Sequence, residues 1–311
     1  MLWQASSDIR ELLDEKDRAD YKPPLTDKLS GYASSTPTSD GEHVYAVFGQ
    51  GVVAAYTMEG KRAWMVRIEL PEDKHGYASS PLLVGDTLIV YKQDIVGLNK
   101  ADGTVKWETK GLPRNSYGSP VHMKFAGMDL VVTPRSQVVR ASDGKEMVHE
   151  LCYGMRACSP IVHGNKIFFV TRMVWAAELS PGQDGAITGK LIWQTPKDIF
   201  NDNDFSSPLY HEGLIYKLDG KVNLKVLEAE SGKIVYATRP KLGRGRQLAS
   251  PALAGNRIFI GNSKGASVWL KPGRKFEASE VSTLAPTLAT PTFDRKRMFV
   301  RSSKRVWCIA E

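Results

Sequence analysis

The chain has 311 residues, 42% of them hydrophobic and 24% charged, a balance that excludes a collagen-like, coiled-coil or disordered protein. Lys and Arg exceed Asp and Glu by 42 to 34, a net charge of +8 that suits anionic partners if the charges cluster. The length is compatible with two domains or with one large all-β ring.

In chain order, Met1-Leu2-Trp3-Gln4-Ala5 reads as an isolated strand carrying a tryptophan. Residues 7–20 read as a short helical insertion. Asp8 is its cap, Glu11 stands three residues on, and Ile9, Leu12 and Leu13 form its apolar stripe. Tyr21-Lys22-Pro23-Pro24 ends it, leaving a helix that lies either across a channel mouth or over a sheet edge.

From there a small-residue–proline anchor recurs: Ser35-Thr36-Pro37, Ser79-Ser80-Pro81, Gly118-Ser119-Pro120, Cys158-Ser159-Pro160, Ser206-Ser207-Pro208, Ala249-Ser250-Pro251 and Ala289-Thr290-Pro291. The prolines are 44, 39, 40, 48, 43 and 40 residues apart, about 42 on average, the period of a four-stranded propeller blade. Each anchor leads into a short strand, a turn such as Val84-Gly85-Asp86, and an apolar strand such as Ile167-Phe168-Phe169-Val170. A third strand follows, then an X-Gly turn such as Asp102-Gly103 or Asp143-Gly144, where glycine supplies the positive φ of a tight hairpin. The fourth strand brings Trp64, Trp107 or Trp193, replaced by Tyr236 and Phe276 in later units. These rings are expected to wedge between blades.

The seventh unit stops before its tryptophan strand, so residues 1–5 are expected to supply it and close the ring. The expected architecture is therefore one all-β domain over residues 1–311, a seven-bladed propeller of four-stranded blades. The alternative is an eight-bladed family member lacking its first blade.

The anchors, Asp-Gly-Lys turns and following tryptophans resemble the pyrroloquinoline quinone (PQQ)-like β-propeller repeat family. Gly76–Trp107 and Ser206–Tyr236 are similar to BamB-like secreted bacterial members. The resemblance spans about residues 31–311. It implies a fold rather than a chemistry, and an exported, periplasmic or secreted protein if a signal peptide has been cropped, because none precedes Trp3. The quinoprotein dehydrogenases of the wider family hold PQQ beneath a vicinal disulfide beside a calcium bound by Glu, Asn and Asp. Here Cys152, Cys158 and Cys308 are never adjacent, and Asn201-Asp202-Asn203-Asp204 is the one oxygen-rich run. No cofactor is therefore expected; PQQ and calcium belong only to the alternative reading. The cysteines read as buried thiols, with a Cys152–Cys158 bridge as the other option.

A basic residue stands at or just past the end of the second strand in five units: Lys92, Arg135, Arg172, Lys217 and Arg301. Tyr77, Tyr117, His75 and Arg156 lie before anchors, on loops expected at the same face, together with Tyr32, Phe205 and Arg246. Basic groups interleaved with aromatics suit an acidic glycan or an acidic protein surface. The six histidines are scattered without metal-ligand spacing, and no catalytic residue or metal ligand is assigned. Gly261-Asn262-Ser263-Lys264-Gly265 spells a nucleophile elbow, but it joins two strands and reads as a hairpin loop. The expectation is a monomeric, non-catalytic binding or scaffolding module, neither membrane-spanning nor nucleic-acid-binding. A quinoprotein dehydrogenase or a glycan-acting lyase is the alternative.

Overall fold

The computed structural model describes residues 3–24, 31–68, 78–91, 94–110, 116–153, 157–200, 205–284, 289–302 and 305–310. Its elements are almost all short antiparallel strands, and the fold is a seven-bladed β-propeller. The chain divides into two compact units, Met1–Arg156 with Ser180–Thr188, and Ala157–Leu179 with Gly189–Glu311.

The first unit holds three sheets. They are β1 (Thr38–Ser39) to β4 (Arg62–Arg67) through β2 (His43–Val47) and β3 (Val52–Thr57); β5 (Leu82–Val84), β6 (Thr87–Tyr91), β7 (Ile95–Asn99) and β8 (Val105–Thr109); and β9 (Val121–Phe125), β10 (Met128–Val132), β11 (Val138–Arg140) and β12 (Glu146–Val148). The second unit contains most of β13 (Ile161–His163), β14 (Lys166–Val170), β15 (Val174–Pro181) and β16 (Ile187–Gln194). It continues with β17 (Leu209–His211), β18 (Leu214–Leu218), β19 (Leu224–Glu228) and β20 (Ile234–Thr238), then β21 (Ala252–Ala254), β22 (Arg257–Gly261), β23 (Ala266–Leu270) and β24 (Ser282–Thr283). The last sheet is β25 (Thr292–Asp294), β26 (Arg297–Arg301) and β27 (Val306–Ala310).

Successive strand residues point to opposite faces, so an apolar second strand can serve two neighbours at once. On β2, Tyr45 and Val47 pack against Leu88 and Val90 of β6, while Ile89 and Tyr91 on the other face of β6 meet Val131 and Val139. The second unit repeats this. Phe168 and Val170 meet Ile215 and Leu227; Tyr216 and Leu218 meet Ile258 and Ile260; Phe259 meets Met298 and Val300. Each fully buried Leu, Ile or Val contributes roughly 1.5–3 kcal/mol.

The tryptophans act as expected, through a close fit. Trp64, Trp107 and Trp193 lie over Gly103, Gly144 and Gly232 of the following blade, where an added Cβ would fall 2.5–2.6 Å from the ring. Their indole N–H groups donate to Lys100 O, Ala141 O and Ala229 O at 2.9, 3.0 and 3.2 Å. Trp3 makes the same pair of contacts, over Gly60 and to Met58 O at 2.8 Å. The reading of Met1–Ala5 as the missing fourth strand of the seventh blade needs correction in one respect: Trp3–Ala5 are not in a strand, and Met1 and Leu2 lie outside the described residues.

The anchors have a role that the prolines concealed. At five of the seven anchors, among the described residues, the backbone N–H before the proline donates to the hydroxyl at the same position of the next blade. The first unit has Thr36 to Ser80 at 3.0 Å and Ser80 to Ser119 at 2.9 Å. The second has Ser159 to Ser207 at 3.1 Å, Ser207 to Ser250 at 2.9 Å and Ser250 to Thr290 at 2.9 Å. Position −1 to proline must therefore carry a hydroxyl, which explains why it is always Ser or Thr.

Two expectations change. The insertion is a 3-10 turn, Ile9–Leu12, followed by a separate helix α1, Glu15–Asp20. Leu13 is extended and Asp14 caps anew, its carboxylate accepting from Asp17 N–H at 2.9 Å. Asp8 accepts from Arg10 N–H, and Glu11 pairs with Arg62 of β4 instead of closing a capping box. The segment thus covers a blade edge, burying Ile9 and Leu13. In the sixth blade, Phe276 is not in a fourth strand. The chain bulges at Glu280-Val281 between the Leu270–Ala278 bridge and β24, and half-exposed Phe276 rests on Tyr236.

Candidate functional site

In an antiparallel sheet whose first strand starts at the anchor, the turn between second and third strands lies at that same end. The sequence-predicted residues Arg135, Arg172, Lys217, Arg301 and Tyr117 do lie there, within their own sheets. Lys92, His75, Tyr77 and Arg156 lie outside the described residues.

The basic residues do not repeat one register position. Lys217 is one residue inside the last pair of its hairpin, Leu218–Leu224, and Arg301 is in the last pair, with Val306. Arg172 stands two residues past Val170, and Arg135 three past Val132. Adjacent register positions face opposite sides of a sheet, so these cations each stand at the anchor end of their own sheet without occupying one repeated position. Lys217 is buried, and its ammonium donates to Ser206 O. Arg172 pairs with Asp198 at 2.6 Å. Burial pushes the Tyr91 phenol up to about 12, against the opposing pull of the nearby Arg135 charge.

Beside exposed cations such as Arg301, each unit presents an exposed aromatic side chain at an anchor end of one of its sheets. Ser136 is buried with a φ of 70°; its hydroxyl donates to Cys152 O at 2.7 Å and accepts from Leu151 and Cys152 N–H at 3.1 and 3.2 Å. This clamp holds the strand-to-anchor loop against the β10–β11 turn and leaves the next residue, Tyr153, 81% exposed. Sequence reasoning passed over Tyr153, because nothing in the repeat marks Ser136 as its holder. In the second unit, Phe200 is buried, its N–H donates to Arg172 O at 3.1 Å, and Lys225 lies over its ring. Beyond the undescribed 201–204, Phe205 is 47% exposed just before its anchor.

Two other expected residues are structural. Tyr32 donates its hydroxyl to Pro24 O, and its carbonyl accepts from Gly49 N–H at 2.7 Å. The Gly243–Arg246 loop is pinned to the β22–β23 hairpin: Arg246 N–H donates to Ser263 Oγ at 3.0 Å, and Asn262 donates to Leu242 O at 2.9 Å. That hairpin is the Gly261–Gly265 segment, with Asn262 Oδ1 accepting from Lys264 N–H at 2.9 Å, so it is a capped turn and not an elbow.

The residues present do not fit a PQQ–calcium centre. No two cysteines are adjacent; Cys158 is buried and donates to Ser206 O, Cys152 is half-buried and Cys308 exposed, and all three are thiols. Only one of them matches the expectation of burial, and the Cys152–Cys158 bridge does not form. Among the described residues no three acids, histidines or cysteines converge as metal ligands, and the Asn201–Asp204 run lies outside them. No helix among the described residues is long and apolar enough to cross a membrane.

Fold, tryptophan–glycine interlock and anchors together define a β-propeller of PQQ-like repeats, with a loop end that displays aromatic side chains. Its family is narrower than that. The chain belongs to the family described as outer membrane protein assembly factor BamB, whose model matches residues 15–184. It is 21% identical to outer membrane protein assembly factor BamB of Yersinia pestis over 293 residues, covering 89% of this chain and 71% of the relative. With the BamB of Moranella endobia it shares 24% over 307 residues, covering 93% and 74%. The crystal structure of BamB from Moraxella catarrhalis is similar in fold, with a TM-score of 0.65, 13% identity and coverage of 89% and 83%.

Proposed function

We propose that this chain is a non-catalytic protein-binding scaffold of the bacterial envelope, acting in outer membrane protein assembly through the loop ends of its blades. The observation that carries the reading is the use of polar groups at those ends. Ser136 is spent on holding a loop, Lys217 on a backbone carbonyl and Arg172 on Asp198, while Tyr153 and Phe205 face solvent. A catalytic site directs polar groups at a substrate, whereas an interface uses them to stiffen the backbone that presents aromatic anchors. Arg135 and Tyr117 stand at the same ends as flanking polar contacts. The family supplies the setting, since the relatives it matches are named as outer membrane assembly factors.

A photo-reactive residue in place of Tyr153 or of Phe205, introduced in cells, tests this. Adducts with a protein of the outer membrane assembly apparatus are expected from these positions and not from Val105, at the start of outer strand β8. Equal adduct patterns at all three positions, or none with that apparatus, would overturn the proposal.

A further inference from the structure

Charge is spread unevenly along this chain. Residues 231–276 contain ten lysines and arginines and not one aspartate or glutamate. In other sheets, cations such as Lys106, Arg140 and Lys166 pair with Asp86, Asp143 and Glu230. At the anchor end of the β17–β20 and β21–β24 sheets, four cations stand without such partners. Lys221, Arg244, Arg246 and Lys264 are exposed, and among the described residues their side chains form no ion pair or hydrogen bond.

Backbone hydrogen bonds bring these four together. The Gly243–Arg246 loop is tied to a hairpin on each side. Gln247 N–H donates to Gly220 O at 3.3 Å in the β18–β19 turn, beside Lys221. Arg246 N–H donates to Ser263 Oγ, and Ser263 N–H to Arg246 O, both at 3.0 Å, in the β22–β23 turn beside Lys264. Asn262, 1% exposed, is the hub. Its amide donates to Leu242 O at 2.9 Å and to Arg244 O at 3.4 Å, while Oδ1 accepts from Lys264 and Ala266 N–H at 2.9 and 3.2 Å. Gly245 lies so near that a Cβ there would fall 2.6 Å from Asn262 Cγ. The one carboxylate of these turns, Asp219, is buried and accepts from Lys221 and Asn223 N–H at 2.9 Å.

Asn262 also sets the direction of two further donors. In a trans peptide the N–H points opposite to the C=O of the preceding residue, and the described residues contain no cis bond. Leu242 O and Arg244 O both turn to Asn262, so the N–H groups of Gly243 and Gly245 turn away from it. Neither N–H has an acceptor among the described residues. Two outward N–H groups on a glycine loop, interleaved with arginines and flanked by two lysines, make an anion site. With two guanidinium forks they offer more donors than the roughly four lone-pair sites of one carboxylate can take. A phosphate monoester has three acceptor oxygens and close to two charges, and arginine meets it bidentately.

We infer that the Gly243–Arg246 loop, with Lys221 and Lys264, binds a phosphate monoester group, carried on an anionic lipid headgroup or on a soluble phosphate compound. The site is separate from the scaffold reading and uses neither Tyr153 nor Phe205. Cross-linking at those residues can therefore succeed while this site fails, and the reverse.

Three probes on the full chain test it. Glycerophosphate is the soluble monoester, phosphatidic acid vesicles in phosphatidylcholine supply the lipid, and succinate is the dicarboxylate comparator. Soluble probes are titrated by amide NMR and vesicles by co-sedimentation against phosphatidylcholine alone. Glycerophosphate or the acidic vesicles should bind, weaken with salt, and be held about tenfold more tightly than succinate. Binding of vesicles alone would assign the phosphate to a lipid; binding of glycerophosphate would admit a soluble source. Bound glycerophosphate should shift the Gly243 and Gly245 amide resonances. Arg244→Gln and Arg246→Gln, both at exposed positions, should each lose about tenfold in affinity, the worth of one charge-assisted hydrogen bond. Lys233→Gln with Lys275→Gln removes as much charge from exposed turns elsewhere and should change affinity by less than about twofold. No phosphate probe bound at about 10 mM, or succinate bound as tightly, would overturn the inference, the latter pointing to an acidic protein surface instead. So would glycine amides unmoved by bound glycerophosphate, or equal losses from the lysine and arginine variants.

Discussion

Replacing Gly103 with alanine tests the interlock on which the blades depend. The new methyl group would lie 2.6 Å from Trp64 Cε3 and 2.9 Å from Cζ3, well inside van der Waals contact. The ring has little room to retreat. It is 9% exposed, packed in the cluster with Tyr45, Val47, Leu88 and Val90, and tethered through its N–H to Lys100 O at 2.9 Å. Two costs add. Holding a Cβ-bearing residue at the φ of 77° costs about 1–2 kcal/mol, and overpacking the ring costs about 1–3 kcal/mol. Gly85 separates them, because it has a φ of 60° with nothing within 4 Å of its would-be Cβ. Gly85→Ala should lose only the backbone part. Urea denaturation should therefore show Gly103→Ala destabilised by about 2–5 kcal/mol and Gly85→Ala by about 1–2 kcal/mol. In a Trp64→Ala background, Gly103→Ala should fall to the Gly85 value, the signature of a direct contact in a double-mutant cycle. Equal losses for both glycines, with no coupling to Trp64, would refute the interlock.

Three further outcomes are expected. Ser207→Ala leaves Ser159 N–H without its acceptor and should cost about 1–3 kcal/mol in urea denaturation. Ser207→Thr, which matches Thr36 and Thr290 at the equivalent position, should stay close to wild type; similar losses for both would remove the hydroxyl ladder from the account. The Lys100 ammonium at 2.8 Å, with His43 N–H and the Tyr45 hydroxyl, holds the Asp40 carboxyl well below the usual range. A carboxyl depressed by folding stabilises the protein above its unfolded pKa of about 3.9 and loses that contribution as pH falls toward its folded value. Wild type should thus lose stability faster than Asp40→Asn between about pH 4 and 2, and parallel curves would contradict the pairing. Trp107→Ala, removing a buried ring and its bond to Ala141 O, should cost about 3–5 kcal/mol by the same denaturation assay; a loss below 1 kcal/mol would contradict the wedge.

The blade count was readable because its markers are steric and local. Proline at the anchor, glycine at positive φ and a large ring after it each have few substitutes, so they recur at a steady period. What escaped the sequence depends on register or on partners distant in the chain. Ser207 reads as a generic small residue until Ser159, 48 residues away, is seen donating to it. Phe276 follows a glycine turn as Trp64 does, yet the Glu280-Val281 bulge downstream denies it a strand, and no periodicity reveals a bulge. The helix over 7–20 divides because Asp14 competes as a second cap, a choice settled by Leu13 burying itself against the blade. At the candidate site, the end of the blade was correctly located for Arg135, Arg172, Lys217 and Arg301. Their differing positions in the hairpins were not, because composition near a strand end leaves register open by a residue or two in either direction. Tyr153 shows the same limit from the other side: its exposure is set by Ser136, 17 residues earlier, through hydrogen bonds that leave no pattern in the sequence.

The central claim is that this propeller binds proteins and does no quinone chemistry, and the purified chain can answer directly. It should be incubated with PQQ and calcium, desalted and read by absorbance. The account predicts a spectrum at the protein baseline, because no vicinal cysteines exist to cap the cofactor. One quinone retained per chain would contradict it.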